Sequence, residues 1–200
     1  MAQGFTLWLT GLPASGKSAI AARLEESLLE RGLEAERLDE GEIRQSWLPS
    51  LGHGAGERDG LTRLIGHFCN LLTRNGIVTI AASISPSQEI RNEIRSQIGR
   101  FVEVHVRCPA EVCAQRDASG NWARARAGEL SGFVGADVPY EEPTNPEILL
   151  EADREDTEQA AKKIVRTLEI LDWIPKAAGG DYDAADEAKI TKRLKDLGYI

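Results

Sequence analysis

Short apolar runs alternate with segments in which apolar residues recur every three or four positions along most of the chain. Residues 5–10 form an apolar, β-prone run, which predicts a strand. In residues 17–31 the apolar positions recur every four residues and Gly32 follows, which predicts a helix and its end. The same reasoning predicts strands at residues 35–39, 77–82, 101–106 and 148–150, and helices at 57–75, 87–99, from Pro109 onward, and 153–173.

This order of elements is typical of one fold class. Strands that alternate with helices at such spacing predict a parallel α/β sheet with right-handed crossovers. The run at 77–82 is almost wholly apolar, as expected for a strand covered on both faces. At 101–106 three valines alternate with Glu103 and His105, which predicts a strand with one wetter face.

Two segments depart from the alternation. Residues 118–145 are rich in glycine and proline, with arginines and acidic residues between them, and we interpret them as a mobile lid. After Pro175 the chain has a predicted hinge at Gly179-Gly180 and an acidic run, followed by an amphipathic helix marked by Ile190, Leu194 and Leu197. We therefore predict a main domain at 1–175 and a helical extension at 176–200, whose apolar face packs on this domain or on a second subunit.

Composition narrows the possible partners. The chain has 200 residues and a formal net charge of −8, which disfavours general nucleic-acid binding and directs attention to locally clustered cations. The three cysteines form no CxxC pair, so we expect reduced thiols and a cytoplasmic protein. No apolar run has the length of a membrane span, so no membrane association is expected. The three histidines have no partner at metal-ligand spacing and are interpreted as structural.

A phosphate-binding loop lies between the first predicted strand and helix. The segment fits the pattern G-x-x-x-x-G-K-[ST] in full. In such a loop the backbone N–H groups form an anion nest, and the helix that follows adds the positive end of its dipole. The lysine reaches the β- and γ-phosphates of ATP, and the serine hydroxyl binds Mg²⁺. The loop residues are Gly11, Leu12, Pro13, Ala14, Ser15, Gly16, Lys17 and Ser18.

Three later clusters indicate that the phosphate goes to an acceptor. Acidic residues and Arg44 follow the second predicted strand, at the edge of the sheet where α/β proteins bind ligands. Ser85 and Pro86 follow the third, and Pro86 at a helix start predicts Ser85 as the N-cap. Arginines in and before the lid, at 116, 124 and 126, could close over phosphates and exclude water.

Further motifs carry a family resemblance over roughly residues 6–150. The chain resembles the adenylylsulfate (APS) kinases, P-loop kinases that phosphorylate the ribose 3′-hydroxyl of APS with MgATP. The resemblance implies a homodimer and a possible association with ATP sulfurylase. It rests on the phosphate loop, Leu38-Asp39 with Ile43-Arg44, Ile84-Ser85-Pro86, Val112–Asp117, Ala125–Glu129, Gly132-Phe133-x-Gly135 and Pro139-Tyr140-Glu141.

The resemblance also implies roles for single residues. Asp39 matches a carboxylate near the metal and the acceptor hydroxyl. Ser85 matches a serine described as a phosphoserine intermediate, although direct in-line transfer is also sufficient and would leave it a positional role. The catalytic set is then Lys17, Asp39 and Ser85, with Ser18 and Asp39 toward the metal. Arg116 is expected at the ATP phosphates, and the acceptor-binding set is Arg44 and Arg58 at the phosphosulfate, Ile84 and Phe133 on either side of the adenine, and Arg124 from the lid.

The sequence departs from the family mainly in the acceptor half. The family commonly reads Asp-Gly-Asp-Asn where this chain has Asp39-Glu40-Gly41-Glu42, so the second aspartate is missing. Glu40 or Glu42 could supply a carboxylate, but a neighbouring position points elsewhere. The other departures are His53, Leu61, Ser83 and Gln88.

Three hypotheses follow from these departures. The first is an APS kinase with compensating changes. The second is a related kinase for another modified nucleotide, such as a nucleoside diphosphoramidate. The third is a nucleotide-binding regulatory protein with weak catalysis.

Overall fold

The computed structural model describes residues 3–52, 54–176 and 184–200. Five strands and eight helices are present in these residues. In chain order they are β1 (Thr6–Thr10), α1 (Lys17–Glu30), β2 (Ala35–Asp39), α2 (Glu40–Trp47), α3 (Ala55–Thr73), β3 (Val78–Ala82), α4 (Gln88–Gln97), β4 (Phe101–Arg107), α5 (Ala110–Arg116), α6 (Asn121–Arg126), β5 (Ile148–Glu151), α7 (Thr157–Ile170) and α8 (Ala184–Asp196).

The strands form one parallel sheet in the order β2-β3-β1-β4-β5. In register, Asp39 lies opposite Ala82, Ala82 opposite Leu9, and Leu9 opposite Val104. The carboxyl ends of four strands therefore lie along one edge of the sheet. The segments that leave this edge are the loop after β1, helix α2 and the residues after β3, and ligands bind at this edge in open α/β sheets.

Helices cover both faces of the sheet, and β1 contributes to the core on both sides. Its Leu7 and Leu9 pack into the cluster that includes residues of α1 and α7. Its Trp8 points the other way, into a cluster with residues of α3 and α4. Close packing there depends on Gly66, because a Cβ at this position would lie 2.7 Å from the side chain of Ile94.

The predicted α/β class is confirmed, and all five predicted strands are present. Two helices were not predicted. Helix α2 directly follows β2. Its start has a recognisable sequence pattern, because Asp39 is the N-cap and Glu40 and Glu42 lie in the first turn. Helix α6 lies in the segment predicted as a lid, where Trp122 is fully buried.

The predicted wetter face of β4 is wrong. Glu103 and His105 are only 3% and 4% exposed. Glu103 is buried because Arg91 and Arg95 both form ion pairs with it, at 2.9 and 3.3 Å. A charged residue that alternates with valines is therefore part of a buried ion-pair network here, a pattern that periodicity alone cannot distinguish from a solvated face.

The C-terminal helix α8 packs on the same chain. Leu194 is fully buried, Arg193 donates hydrogen bonds to the carbonyl of Pro146, and the hydroxyl of Tyr199 lies 2.8 Å from a carboxylate oxygen of Glu147. The predicted hinge at 179–180 lies outside the described residues. Among the helices of the described segments, none combines the length and apolar character needed to cross a bilayer.

Candidate functional site

The loop between β1 and α1 has the torsions of an anion nest. Gly16 precedes α1 with φ at 102°, and Ala14 has φ at 62°, so both lie in the left-handed region that turns successive N–H groups to one side. At Gly11 a Cβ would lie 2.4 Å from the carbonyl oxygen of Val106, so only glycine fits between the loop and β4. The predicted phosphate loop thus has both its sequence pattern and its backbone form.

Lys17 folds back over this loop. Its Nζ donates to the carbonyls of Gly11 and Leu12, at 2.9 and 2.8 Å, and the side chain is buried. Burial lowers the pKa of Lys17 to about 8, and the negative charge of Glu40 opposes this shift most strongly. The ammonium group is therefore preorganised beside the nest, where the phosphates of a nucleotide would supply the negative charge that it lacks.

Asp39 caps helix α2 with one carboxylate oxygen and leaves the other available. Its Oδ1 accepts hydrogen bonds from the N–H groups of Gly41 and Glu42. Its Oδ2 is buried and has no hydrogen-bond partner among the residues that the structure describes. A buried carboxylate oxygen without a partner is costly, and an ion or its bound water would satisfy it.

These residues fit Mg²⁺ held mainly by a nucleotide. The hydroxyl side chain of Ser18 is exposed at the start of α1, and Asp39 supplies a second oxygen. No cluster of three or more histidine, cysteine or acidic residues able to hold a metal exists within the described residues. Mg²⁺ commonly keeps several waters and binds through one or two protein oxygens plus substrate phosphates.

Ser85 is not the N-cap of the next helix, contrary to the sequence prediction. Helix α4 begins at Gln88 and its N-cap is Ser87, whose Oγ accepts from the N–H of Ile90. Ser85 lies two residues earlier, is 1% exposed, and has φ at 37°, a strained conformation for a residue with a side chain. The prediction failed because Pro86 was placed at the first helical position, whereas α4 begins two residues after it.

The Ser85 hydroxyl is held by its neighbours. It accepts a hydrogen bond from the indole N–H of Trp8 and lies 3.0 Å from the hydroxyl of Thr10. The guanidinium of Arg91 donates to the Ser85 carbonyl and also pairs with Glu103. The strained backbone at Ser85 is therefore fixed by strands β1 and β4 and by helix α4.

Arg91 is the centre of a network that the sequence did not reveal. It is 1% exposed and, besides its bonds to Ser85 and Glu103, donates to the side chain of Gln88 and to the carbonyl of Glu141. It therefore joins the segment after β3 to the end of the lid. Gln88 replaces an arginine that is common in the resembling family, and here its side chain accepts from Arg91.

The predicted arginines occupy different environments. Arg44 donates to the carbonyls of Leu51 and Gly52, so it organises the loop before α3. Arg58 is 5% exposed on α3. Arg116 and Arg124 are exposed, on α5 and α6. The structure thus buries Arg58 and leaves the two arginines near the lid accessible.

The lid segment contacts the phosphate loop through Trp122, a residue that the sequence reasoning missed. The indole N–H of Trp122 donates to the carbonyl of Pro13 at 3.1 Å. The ring of Phe133 packs edge-on against Trp122, with ring centroids 5.1 Å apart. Ile84, the other predicted adenine contact, is half-buried at the end of β3. The signal in the sequence was Trp122 itself, because a large apolar side chain in a glycine-rich segment indicates that this part of the lid is packed.

The two glutamates of α2 have different surroundings. Glu42 is exposed and pairs with Arg37. Glu40 is 7% exposed, and its Oε2 accepts from the Ser83 hydroxyl and from the N–H of Ile84, each at 2.8 Å. Of the two carboxylates that could replace the missing aspartate, only Glu40 turns into the sheet edge.

The other departures lie in different surroundings. Leu61 is 2% exposed and belongs to the apolar cluster around Trp8. Gly41 is exposed on α2, and position 53 lies outside the described residues. The described sites of substitution therefore differ: Leu61 is packed in the core, Glu40, Ser83 and Gln88 are paired within the chain, and Gly41 is exposed.

A complete phosphate loop at the carboxyl edge of a parallel sheet, with the Asp39 carboxylate at the end of β2, two strands away from β1, is typical of a P-loop nucleotide-binding protein. The family model described as "Adenylylsulphate kinase" matches residues 3–151. This protein belongs to the adenylylsulfate kinase family, as the sequence motifs predicted.

Individual relatives agree with the family match. The adenylyl-sulfate kinase of Rippkaea orientalis is 45% identical over 174 residues, which is 87% of this chain and 96% of the relative. A probable bifunctional SAT/APS kinase of Sorangium cellulosum is 41% identical over 86% of this chain but only 30% of its own length. Among solved structures, the Mycobacterium tuberculosis APS kinase in complex with AMPPNP and APS superposes with a TM-score of 0.79 at 35% identity, covering 84% of this chain and 99% of that one.

Proposed function

We propose that this protein transfers the γ-phosphate of ATP to the 3′-hydroxyl of adenylylsulfate and releases 3′-phosphoadenylylsulfate and ADP. One observation carries the proposal: the buried Lys17 of a complete phosphate loop and the unsatisfied oxygen of Asp39 lie at the same sheet edge. The M. tuberculosis relative was solved with an ATP analogue and APS, which supports this pair of substrates.

In the donor half, Gly11–Ser18 surrounds the phosphates and Lys17 stabilises the charge that develops on the transferred group. Arg116, which is exposed at the end of α5, adds a positive charge for the ATP phosphates. Ser18 and Asp39 would hold Mg²⁺, which on binding neutralises phosphate charge. The Oδ2 of Asp39 also gives the acceptor hydroxyl a carboxylate that can orient it and take its proton.

The surroundings of Ser85 support a positional role. Its Oγ is buried between Trp8 and Thr10, and its hydrogen bonds hold it within the sheet edge. Forming a phosphoserine there would require a phosphate group in a space that these side chains fill. We therefore propose direct in-line transfer, in which Ser85 fixes the turn that carries Ile84.

In the acceptor half, we propose that the base lies between Ile84 and Phe133, and that Arg44, Arg58 and Arg124 serve the phosphosulfate. Arg58 is buried on α3. The pKa of the exposed Asp137 carboxyl is lowered mainly by hydrogen bonds from the N–H groups of Gly132 and Phe133, and the charge of Arg58 lowers it further. Arg58 on α3 therefore interacts electrostatically with the turn at residues 132–137, which contains Phe133, and this supports its proposed role.

The catalytic unit is proposed to be residues 1–175, with 176–200 as an extension. We also propose a homodimer in the cytoplasm, where the free thiols of Cys69, Cys108 and Cys113 would remain reduced. Association with ATP sulfurylase is a further proposal. The support is the S. cellulosum relative, which is described as a probable bifunctional SAT/APS kinase.

The test is an ADP-release assay with purified protein, ATP, Mg²⁺ and a panel of acceptors. The proposal predicts that APS gives the highest kcat/KM and that ADP release without acceptor is near background. Preference for a nucleoside diphosphoramidate would favour the related-kinase hypothesis. ATP binding by calorimetry with no turnover on any acceptor would favour the regulatory hypothesis.

A further inference from the structure

A buried contact joins the start of α2 to the end of β3. The Oε2 atom of Glu40 accepts two hydrogen bonds, from the Ser83 hydroxyl and from the N–H of Ile84, both at 2.8 Å. Glu40 is 7% exposed and Ser83 is fully buried. The two hydrogen bonds join residues separated by 43 and 44 places in the chain, so the contact is a tertiary feature of the site rather than local turn geometry.

Glu40 holds a segment that lies beyond the backbone ladder of the sheet, where the Thr10 hydroxyl of β1 also donates to the Ile84 carbonyl at 2.8 Å. Strand β3 ends at Ala82, and the Ser83 N–H makes the last bond to the neighbouring strand, at Leu9. The next N–H, that of Ile84, has left the ladder, and Glu40 is its acceptor. Without that acceptor a polar group beside a buried region would lose its partner, and the turn would lose one of its restraints.

Glu40 lies between residues of the proposed ATP site and residues of the proposed acceptor site. Its neighbour Asp39 caps α2 and presents an unsatisfied oxygen at the sheet edge. On the other side, the charge of Glu40 acts on Lys17 of the phosphate loop. Ile84, which Glu40 holds through its backbone, is the residue proposed to contact the acceptor base.

We propose that Glu40, with Ser83 as its partner, is a positioning residue that fixes Ile84 for acceptor binding. This inference rests on the proposed function. Glu40 and Ser83 both occupy positions at which this sequence departs from the common pattern of the family, and the two side chains form a hydrogen bond with each other. The two departures are therefore one paired feature that sets the geometry of the acceptor pocket in this chain.

Kinetics distinguish positioning from general stabilisation. We expect Glu40→Ala to raise the KM for APS roughly tenfold, the scale of a lost hydrogen bond to a charged group, while any change in the KM for ATP, caused by the lost charge near Lys17, is the same as in Glu40→Gln. Glu40→Gln retains an oxygen that can accept both bonds and should restore the KM for APS to within about threefold of wild type. Glu42→Ala is the matched control on the same helix, because Glu42 is exposed and pairs with Arg37 at the surface.

The pair itself is tested by Ser83→Ala and the double variant. Because both single variants remove the same Glu40–Ser83 bond, their effects on log KM for APS should be clearly less than additive when combined. Additive effects would contradict a shared role. Equal increases in the KM values for ATP and APS, or a lower melting temperature with an unchanged KM for APS, would show that Glu40 only supports the fold.

A second readout does not depend on APS being the acceptor. Amide hydrogen exchange at Ile84 in the ligand-free protein should accelerate at least tenfold in Glu40→Ala and much less in Glu40→Gln, with no change at Leu7 in the central strand. If wild type fails to use APS but Ile84 loses protection in Glu40→Ala, the proposed function fails while the positioning contact stands. If Ile84 exchange is unchanged, the inference is wrong whatever the acceptor.

Discussion

The proposed donor and acceptor halves of the site are built in different ways. The donor half is one continuous loop of eight residues, 11–18, fixed by left-handed torsions at Ala14 and Gly16 and by a lysine that bonds to the loop itself. The acceptor half is assembled from α2, the turn after β3, α3 and the lid, joined by long-range contacts such as Glu40 to Ile84.

This difference explains where substitutions occur. The fixed positions of the donor motif lie within one short segment, where each must suit the backbone of the nest or the phosphates, and all of them are present. In the acceptor half, a change at one position can be matched by a change at its partner, as at Glu40 and Ser83. A site assembled from distant segments can therefore retain its geometry with different residues.

The largest expected effect is in the donor half. Lys17→Ala should reduce kcat/KM by about 10²–10³, or about 3–4 kcal/mol of transition-state stabilisation, because a preorganised charge is lost. The matched control is Lys192→Ala, an exposed lysine on α8. Steady-state kinetics check both variants; a loss below tenfold for Lys17→Ala would mean that the loop does not stabilise the transferred phosphate.

The next effect is on the framework of the acceptor half. Arg91→Met should lower the free energy of unfolding by about 3 kcal/mol, because Glu103 would remain buried with its pairing to Arg91 removed. Arg63→Met is the control, since Arg63 and Glu93 form an exposed pair expected to contribute less than about 1 kcal/mol. Urea unfolding measures both; equal effects would contradict a special role for the buried network.

A smaller effect tests the contact between the two halves. Trp122→Phe keeps an aromatic ring but loses the hydrogen bond to Pro13, so the KM for ATP should rise roughly three- to tenfold, corresponding to about 1 kcal/mol. Trp47→Phe is the control, because Trp47 is 66% exposed. An unchanged KM for ATP in Trp122→Phe would indicate that the lid does not position the loop.

The smallest effect concerns pH. Burial, together with the charges of Arg107 and Arg91, lowers the pKa of His105 to about 4, below its ordinary 6.5. The unfolded chain then binds the proton more readily, so stability is lost as the pH falls below about 6.5, by about 1 kcal/mol between pH 7.5 and 5.5. His105→Gln should flatten this part of the stability profile, whereas His67→Gln, at an exposed position, should not. Equal slopes for His105→Gln and wild type would refute the assignment.

The sequence predicted the features that arise from local pattern. The strands, most of the helices and the phosphate loop depend on residues close together in the chain. The predicted fold class is confirmed, and the loop has the backbone torsions expected of an anion nest. The prediction of Ser85 as the N-cap of α4 was wrong because a proline two residues before a helix resembles one at its start. The burial of Glu103 and the pairing of Glu40 depend on partners 12 and 43 residues away, which no local pattern contains.

Identification of the reaction product tests whether this protein phosphorylates APS. Purified protein is incubated with ATP, Mg²⁺ and APS, and the products are followed by ³¹P NMR. We expect a new phosphate monoester on the 3′-oxygen of APS, formed in equal amount to ADP. ADP accompanied by inorganic phosphate, or ATP unchanged in the presence of APS, would contradict this activity.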